Sequence, residues 1–145
     1  MGATFMKSFP KPLHANKHCR HYSYKMGLND DRGPTCAKGL DLASKPGAAL
    51  VCMPDLGANL CAQREEFTEI ERAAWEEWRN QSMARMILIM PLIPGSGAKR
   101  DEYWGKTGKF SCPACEVGNV RWTRAPNNGH IWASCSTPYC FSVIQ

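Results

Sequence analysis

Two pairs of cysteines near the end of the chain constrain its fold more than any other feature. Two residues separate Cys112 from Cys115, and four residues separate Cys135 from Cys140. Thiols this close in sequence make poor structural disulfides, but a tight turn can point both sulfurs at one metal ion. A second pair then completes a tetrahedral shell of four sulfurs. The spacing therefore predicts a zinc site whose ligands are Cys112, Cys115, Cys135 and Cys140.

The segment between the two cysteine pairs has the pattern of a β-hairpin. Residues 120–124 and 130–134 are rich in β-branched and aromatic side chains, and Asn128-Gly129 between them is typical of a tight turn. We therefore predict a three-stranded zinc ribbon over residues 110–145. Four thiolates already fill the shell of the metal, so we interpret His130 as a strand or turn histidine rather than a ligand.

A shell of four thiolates also argues against catalysis, because it leaves no open position for a water nucleophile. The chain has no His-x-Glu ahead of a cysteine pair, no phosphate-binding loop, no dinucleotide-binding glycine pattern and no nucleophile elbow. Asn127, Asn128 and His130 are suggestive of a histidine-metal nuclease, but a hairpin turn explains them more simply. We therefore predict that the protein is not an enzyme and assign no catalytic residue.

Four more cysteines are spread over the first half of the chain, in a segment rich in turn-forming residues. Such a segment cannot pack an ordinary core, so we expect a second metal centre to hold it together. The irregular spacing suits either zinc or a [4Fe-4S] cluster, and His18 or His21 is an alternative to one thiol in a zinc site. A third interpretation is buried free cysteines. The predicted ligands are Cys19, Cys36, Cys52 and Cys61.

One long helix is predicted between the two cysteine-rich segments. A capping box of Thr68 and Glu71 predicts that the helix begins at about Glu69, and Pro91 predicts that it ends at about Met90. Its end is apolar on all sides, so we expect burial against both halves of the protein or against a second copy of the chain. One face carries apolar or small residues at helical spacing, namely Trp75, Trp78, Ser82, Met86 and Ile89.

Length and charge agree with a small protein that metal stabilises. The chain has 145 residues, eight cysteines and a formal net charge of +5, which allows an anionic partner. No acidic residue occurs in the first 29 positions, which predicts a basic arm that lies on nucleic acid or is simply solvated. The start of the chain lacks the apolar core of a signal peptide, and no apolar run is long enough to span a membrane. We therefore expect a reducing cytoplasm, where clustered thiols bind metal more often than they form disulfides.

The predicted architecture is a small α+β protein with two metal-stabilised modules joined by one helix. The predicted segments are a basic arm over residues 1–17, a cysteine-rich metal-binding module over 18–66, an amphipathic helix over 67–93, a linker over 94–109 and a zinc ribbon over 110–145.

Aromatic and basic residues alternate on the predicted ribbon strands. An exposed aromatic ring beside a guanidinium can stack on a base while phosphate is neutralised. The alternative is that the two indoles pack beneath the ribbon as its small core. The predicted nucleic-acid-binding residues are Arg121, Trp122, Arg124 and Trp132.

Several short motifs are distributed over nearly the whole chain. They are Cys19-Arg20-His21-Tyr22, Cys36 followed by Gly39, Cys52, Cys61 with Arg64-Glu65-Glu66-Phe67-Thr68, Ala84-Arg85-Met86, Met90-Pro91-Leu92-Ile93, Cys112-Pro113-Ala114-Cys115, and Asn128-Gly129-His130 leading to Cys135. In these motifs the chain resembles small cysteine-rich proteins encoded by tailed bacteriophages and prophages. The resemblance implies a viral accessory protein that acts inside a bacterium.

These observations together predict a non-catalytic, phage-type metal-binding protein. We expect it to bind nucleic acid or a nucleic-acid-processing complex of the host. One alternative is an inhibitor that docks on a host transcription or defence protein through the helix and the ribbon. Another is an iron-sulfur redox or sensor protein that uses the N-terminal cysteines.

Overall fold

The computed structural model describes residues 8–28, 32–54, 60–95 and 99–144. The first seven residues of the predicted basic arm and residues 96–98 of the predicted linker lie outside these ranges. The chain divides into two compact units. The N-terminal unit runs from Leu13 to Trp75, and the C-terminal unit combines the described residues up to Pro12 with those from Glu76 onward. The division therefore falls within the long helix and not at the ends predicted for it.

The N-terminal unit contains little regular structure. Strands β1 (Tyr22–Lys25) and β2 (Gly33–Cys36) form an antiparallel hairpin in which Tyr22 lies opposite Cys36. A short 3-10 helix follows at Ala48–Cys52. The buried cluster of the N-terminal unit is small and consists of Cys19, Leu42 and Cys52, with half-buried apolar residues packed around it. A core of this size agrees with the turn-rich composition, because few apolar residues of this segment occur at the regular spacing of a helix or a strand.

Helix α1 spans Glu69–Ile89 and begins where the capping box predicts. The backbone N–H of Thr68 donates to the Glu71 carboxylate at 2.8 Å, and the N–H of Glu71 donates to the Thr68 hydroxyl at 3.1 Å. Both hydrogen bonds satisfy donors that lack a partner within the first turn. A short 3-10 turn, Met90–Leu92, follows the helix and contains the predicted terminator Pro91.

One face of α1 is buried or half-buried along its length, at the positions that the helical spacing predicts. Arg85 lies on this face and is only 9% exposed. Residues of the single chain do not bury the end of the helix on all sides, because Ile87 is 68% exposed and Leu88 is 51% exposed. The end of α1 is therefore amphipathic. The alternative, burial against a second copy of the chain, stays a prediction.

The C-terminal unit is built on an antiparallel sheet in the order β3-β4-β5-β6. Its strands are β3 (Thr107–Ser111), β4 (Asn119–Arg124), β5 (Ile131–Cys135) and β6 (Ser142–Ile144). The predicted ribbon is corrected in two respects, since the sheet begins before residue 110 and has four strands instead of three. The fourth strand forms because the chain reverses after β5, where the N–H of Cys135 donates to the carbonyl of Phe141 at 2.9 Å.

The turn between β4 and β5 is wider than the sequence predicts. Strand pairing ends at Arg124 and Ile131, which leaves residues 125–130 in the turn. The N–H of Gly129 donates to the carbonyl of Ala125 at 2.9 Å, and Gly129 has a φ of 69°. A Cβ at Gly129 would lie 2.3 Å from the Trp104 ring, so the turn needs glycine for its space as well as its conformation.

The core of the C-terminal unit lies against one face of this sheet. Along β4 the side chains alternate between exposed and buried, and Val120, Trp122 and Arg124 point inward. Trp122 packs over Gly108 on the neighbouring strand, where a Cβ would lie 2.5 Å from the indole ring. Ile89, Ile93 and three of the four predicted zinc ligands belong to the same buried cluster. The strand alternation thus places the predicted metal ligands beside the core.

In the part of the chain that the structure describes, no helix combines the length and the apolar character needed to cross a membrane.

Candidate metal centres and ribbon surface

The four C-terminal thiols converge on one point. Their sulfur atoms all lie within 4.8 Å of one another, with 3.8 Å between Cys112 and Cys140 and 3.7 Å between Cys115 and Cys135. A tetrahedral ion with zinc-sulfur bonds of about 2.3 Å separates its sulfurs by about 3.8 Å. The predicted ligands are therefore spaced to hold a single metal ion.

The first cysteine pair lies in a compact turn after β3. The N–H of Cys112 donates to the carbonyl of Gly118 at 2.8 Å, and the N–H of Glu116 donates to the carbonyl of Cys112 at 3.0 Å. The N–H of Gly118 then donates to the sulfur of Cys115 at 3.3 Å. These contacts fix both cysteines relative to the end of the strand.

The second cysteine pair begins at the end of β5 and uses its four intervening residues to make a separate turn. The N–H of Thr137 donates to the sulfur of Cys135 at 3.4 Å, and the N–H of Cys140 donates to the carbonyl of Thr137 at 3.2 Å. Tyr139 adopts a left-handed conformation with a φ of 59°, which returns the chain toward the metal centre. Cys140 is consequently as buried as Cys112, since both are only 1% exposed.

The surroundings of Cys115, Cys135 and Cys140 shift the pKa values of these thiols in opposite directions. Burial raises the pKa of Cys140 and of Cys135, and the neighbouring thiols add to the effect at Cys140. Burial also acts to raise the pKa of Cys115, but hydrogen bonds from the Thr137 side chain and from the backbone at Val117 and Gly118 outweigh it and hold that pKa at about 6. Cys115 is therefore prepared to act as a thiolate ligand.

Two residues that sequence reasoning missed support the C-terminal cysteines. Arg85 donates from Nε to the carbonyl of Cys140 at 2.6 Å and lies 4.3 Å from the centre of the Phe9 ring. Gly118 packs so closely that a Cβ would lie 2.5 Å from the Thr137 hydroxyl and 2.8 Å from the sulfur of Cys135. The sequence could have indicated Arg85 only as a lone cation on the apolar face of α1. Gly118 carried no distinguishing signal beyond its position after the first pair.

The N-terminal cysteines are also brought together, but at a wider spacing. Cys19, Cys36, Cys52 and Cys61 line one cavity, together with His21. Among the described residues, however, no His, Cys or carboxylate donors of this region form a group that could hold one metal ion as they stand. Burial, followed by the three neighbouring thiols, raises the pKa of Cys52. The other predicted alternative ligand, His18, instead packs edge-on against Tyr22, with 5.4 Å between the ring centres.

The predicted nucleic-acid-binding residues fall on opposite faces of the sheet. Trp132 is 60% exposed, and Arg121 is exposed on the same face. Trp122 and Arg124 are only 8% and 0% exposed. The predicted set is therefore corrected to Arg121 and Trp132, because neighbouring residues of a strand point to opposite sides and two of the four point into the core.

Buried Arg124 has a structural role. Its guanidinium donates to the carbonyl of Pro94 at 3.2 Å and lies 3.7 Å from the carboxylate of Asp101. Gly95 packs against this pair, since a Cβ there would lie 2.6 Å from the Asp101 carboxylate. Arg124 thus ties the segment before β3 to the core of the C-terminal unit.

Comparison of the chain with protein-family models, with curated proteins and with solved structures finds no match. The resemblance to phage-encoded cysteine-rich proteins therefore stays a prediction.

Proposed function

We propose that the protein is a non-catalytic, phage-type zinc-binding protein that binds nucleic acid, alone or within a nucleic-acid-processing complex of the bacterial host. The observation that carries this proposal is the exposed indole of Trp132 on the same sheet face as Arg121. The bound nucleic acid would lie on the exposed side of the four-stranded sheet.

Zinc is the metal that best suits the C-terminal cysteines. Four thiolates in a tetrahedron are typical of zinc or of iron-sulfur centres, and sulfur separations of 3.7 and 3.8 Å correspond to one ion. A single ion with four protein ligands has no open position for substrate or water. Zinc in this site would therefore stabilise the sheet and leave binding to the strand surface.

The exposed face of the sheet has the charge that a polyanion requires. Lys109 on β3 lies directly opposite Arg121 on β4, and both are exposed. Trp132 on β5 pairs with Thr123, two positions along β4 from Arg121. None of the exposed strand residues on this face carries a carboxylate: they are Thr107, Lys109, Ser111, Asn119, Arg121, Thr123, Trp132, Ser134, Ser142 and Ile144. A base stacked on Trp132 would thus place its phosphates near two cations.

The test is binding of labelled single-stranded DNA and RNA to the full-length protein, measured by fluorescence anisotropy. Stacking of one base on an aromatic side chain contributes about 1–3 kcal/mol, so Trp132→Ala should weaken binding by roughly 5- to 150-fold. Arg121→Ala should weaken binding and make the affinity less dependent on salt, because one fewer phosphate is neutralised.

Two control variants separate the ribbon face from nonspecific effects. Trp132→Phe keeps an aromatic ring and should retain most of the affinity. Arg79→Ala removes the same charge from an exposed position on α1 and should leave the affinity unchanged. Unchanged affinity in both Trp132→Ala and Arg121→Ala, with zinc still bound, would overturn the proposal.

A further inference from the structure

The N-terminal unit encloses a second group of thiols that differs from the zinc site. Cys19, Cys36, Cys52 and Cys61 surround a cavity of about 30 Å³. Cys19 and Cys52 are each only 6% exposed, and the other two are half-buried. A metal centre can hold together a segment with few apolar residues, and four cysteines from separate parts of the chain that line one cavity are the arrangement that such a centre requires.

The arrangement of these thiols differs from that of a preformed site for one ion. Among the described residues, only the C-terminal thiols form a group of three or more donors that could hold one ion as they stand, and their sulfurs all lie within 4.8 Å of one another. A tetrahedral zinc ion needs sulfurs about 3.8 Å apart. A polynuclear cluster holds its thiolates farther apart, because each of them binds a different iron atom.

We propose that this cavity binds a [4Fe-4S] cluster, with Cys19, Cys36, Cys52 and Cys61 each ligating one iron. The four ligands occupy four different places in the fold. Cys19 precedes β1, Cys36 ends β2, Cys52 ends the 3-10 helix, and Cys61 follows it. A cubane cluster takes one thiolate at each of four corners, and this arrangement supplies them from four directions.

The groups around the cavity suit the negative charge of a cluster with four thiolates. The N–H of Glu65 donates to the sulfur of Cys19 at 3.5 Å. Lys38 and His21 form part of the cavity wall, and both also approach the Glu65 carboxylate, at 3.5 and 3.3 Å. An N–H donor to sulfur and a nearby lysine ammonium stabilise such clusters and tune their potential.

The backbone of the ligands is held in place by a buried arginine. The Arg64 side chain donates to the carbonyl of Cys52 at 2.6 Å and to the carbonyl of Lys17 at 2.9 Å. The N–H of Cys19 donates to the carbonyl of Cys52 at 2.9 Å, which joins two ligands directly. Leu42 and Val51 form an apolar part of the wall, which limits the access of water to the site.

The experiment uses the full-length protein purified without oxygen and then reconstituted with iron(II) and sulfide. We expect brown protein with a broad visible absorption band, about four irons and four sulfides per chain, and a Mössbauer spectrum typical of a cubane cluster. Zinc should be present at one equivalent. Colourless protein with two zinc ions per chain, or failure to take up iron and sulfide, would overturn the proposal.

Matched serine variants locate the cluster. Cys36→Ser and Cys61→Ser should lose most of the iron and sulfide and keep the zinc, whereas Cys135→Ser should lose zinc and keep the cluster. Circular dichroism verifies that α1 remains folded in each variant. Equal iron and sulfide in wild type and in both N-terminal variants would show adventitious iron sulfide and contradict the assignment.

Discussion

The two cysteine groups contain the same number of thiols but hold them differently. In the C-terminal group, turns at the ends of β3 and β5 place sulfurs 3.7 and 3.8 Å apart. In the N-terminal group, a two-stranded hairpin and a short 3-10 helix leave the sulfurs around a cavity. Equal numbers of cysteines therefore do not give equal arrangements of sulfur atoms, because the backbone around each group sets the positions of its thiols.

In both groups, an arginine side chain donates a hydrogen bond to the backbone carbonyl of one cysteine. Arg85 donates to the carbonyl of Cys140, and Arg64 donates to the carbonyl of Cys52, each at 2.6 Å. Each arginine thus fixes the backbone of a buried cysteine and places a positive charge near its group of thiols. The difference between the groups therefore arises from their spacing and not from the presence of a supporting cation.

The largest expected effect tests whether metal stabilises the C-terminal unit. Cys115→Ser should prevent zinc binding, and structural zinc contributes apparent free energies of about 10–16 kcal/mol in small domains. This is comparable to the whole stability of a typical domain, about 5–15 kcal/mol. Hydrogen exchange should therefore show loss of amide protection over residues 107–144. Persistent protection of these amides in zinc-free protein would contradict the claim that metal stabilises the C-terminal unit, because packing alone would then hold the sulfurs in place.

A smaller effect tests whether backbone packing sets the sulfur spacing. Gly118→Ala places a methyl group against the Thr137 hydroxyl and the sulfur of Cys135, so one ligand must shift. We expect a loss of zinc affinity of roughly 10- to 100-fold, as for other changes around metal ligands. Competition with a chromophoric chelator measures it. Gly105→Ala is the control, because it strains a glycine with a φ of 81° away from the metal centre, and it should leave zinc affinity unchanged.

The smallest effect tests the arginine hydrogen bond to a cysteine carbonyl that occurs in both groups. Arg85→Met should lower zinc affinity by about 10-fold and leave iron uptake unchanged, and Arg64→Met should do the reverse. Metal analysis after partial chelation measures both variants in parallel. Equal losses of both metals in either variant would mean that the arginines act through general stability, and the parallel between the two groups would fail.

Local sequence patterns predicted much of this structure. The capping box of Thr68 and Glu71 acts over one turn, so its residues alone indicate where α1 begins. The C-terminal ligands were predictable for the same reason, since short spacing within each pair dictates a turn. The N-terminal ligands were predicted as a set, but their wide separation depends on distant contacts and was not visible in the spacing.

Other features depended on contacts that a sequence does not display. The fourth strand forms because the turn after Cys135 returns the chain along β5, and nothing in Ser142–Ile144 alone shows this pairing. From the sequence alone, Arg124 is expected to be a surface cation. Its partners Pro94 and Asp101 lie before β3, far from it in the sequence, so the spacing of the residues does not indicate the contact. Strand alternation alone did show that Arg121 and Trp122 cannot share a face. The predicted binding set overlooked that rule.

The central claim is that one ion with four sulfur ligands organises the C-terminal unit. Zinc K-edge X-ray absorption of the full-length Cys36→Ser variant tests it most directly, because the spectrum averages over every zinc ion present and this variant leaves only the C-terminal group with four cysteines. The account predicts four sulfur neighbours at about 2.3 Å and no nitrogen or oxygen neighbour. A zinc shell that contains a nitrogen or oxygen ligand, or protein that binds no zinc, would contradict it.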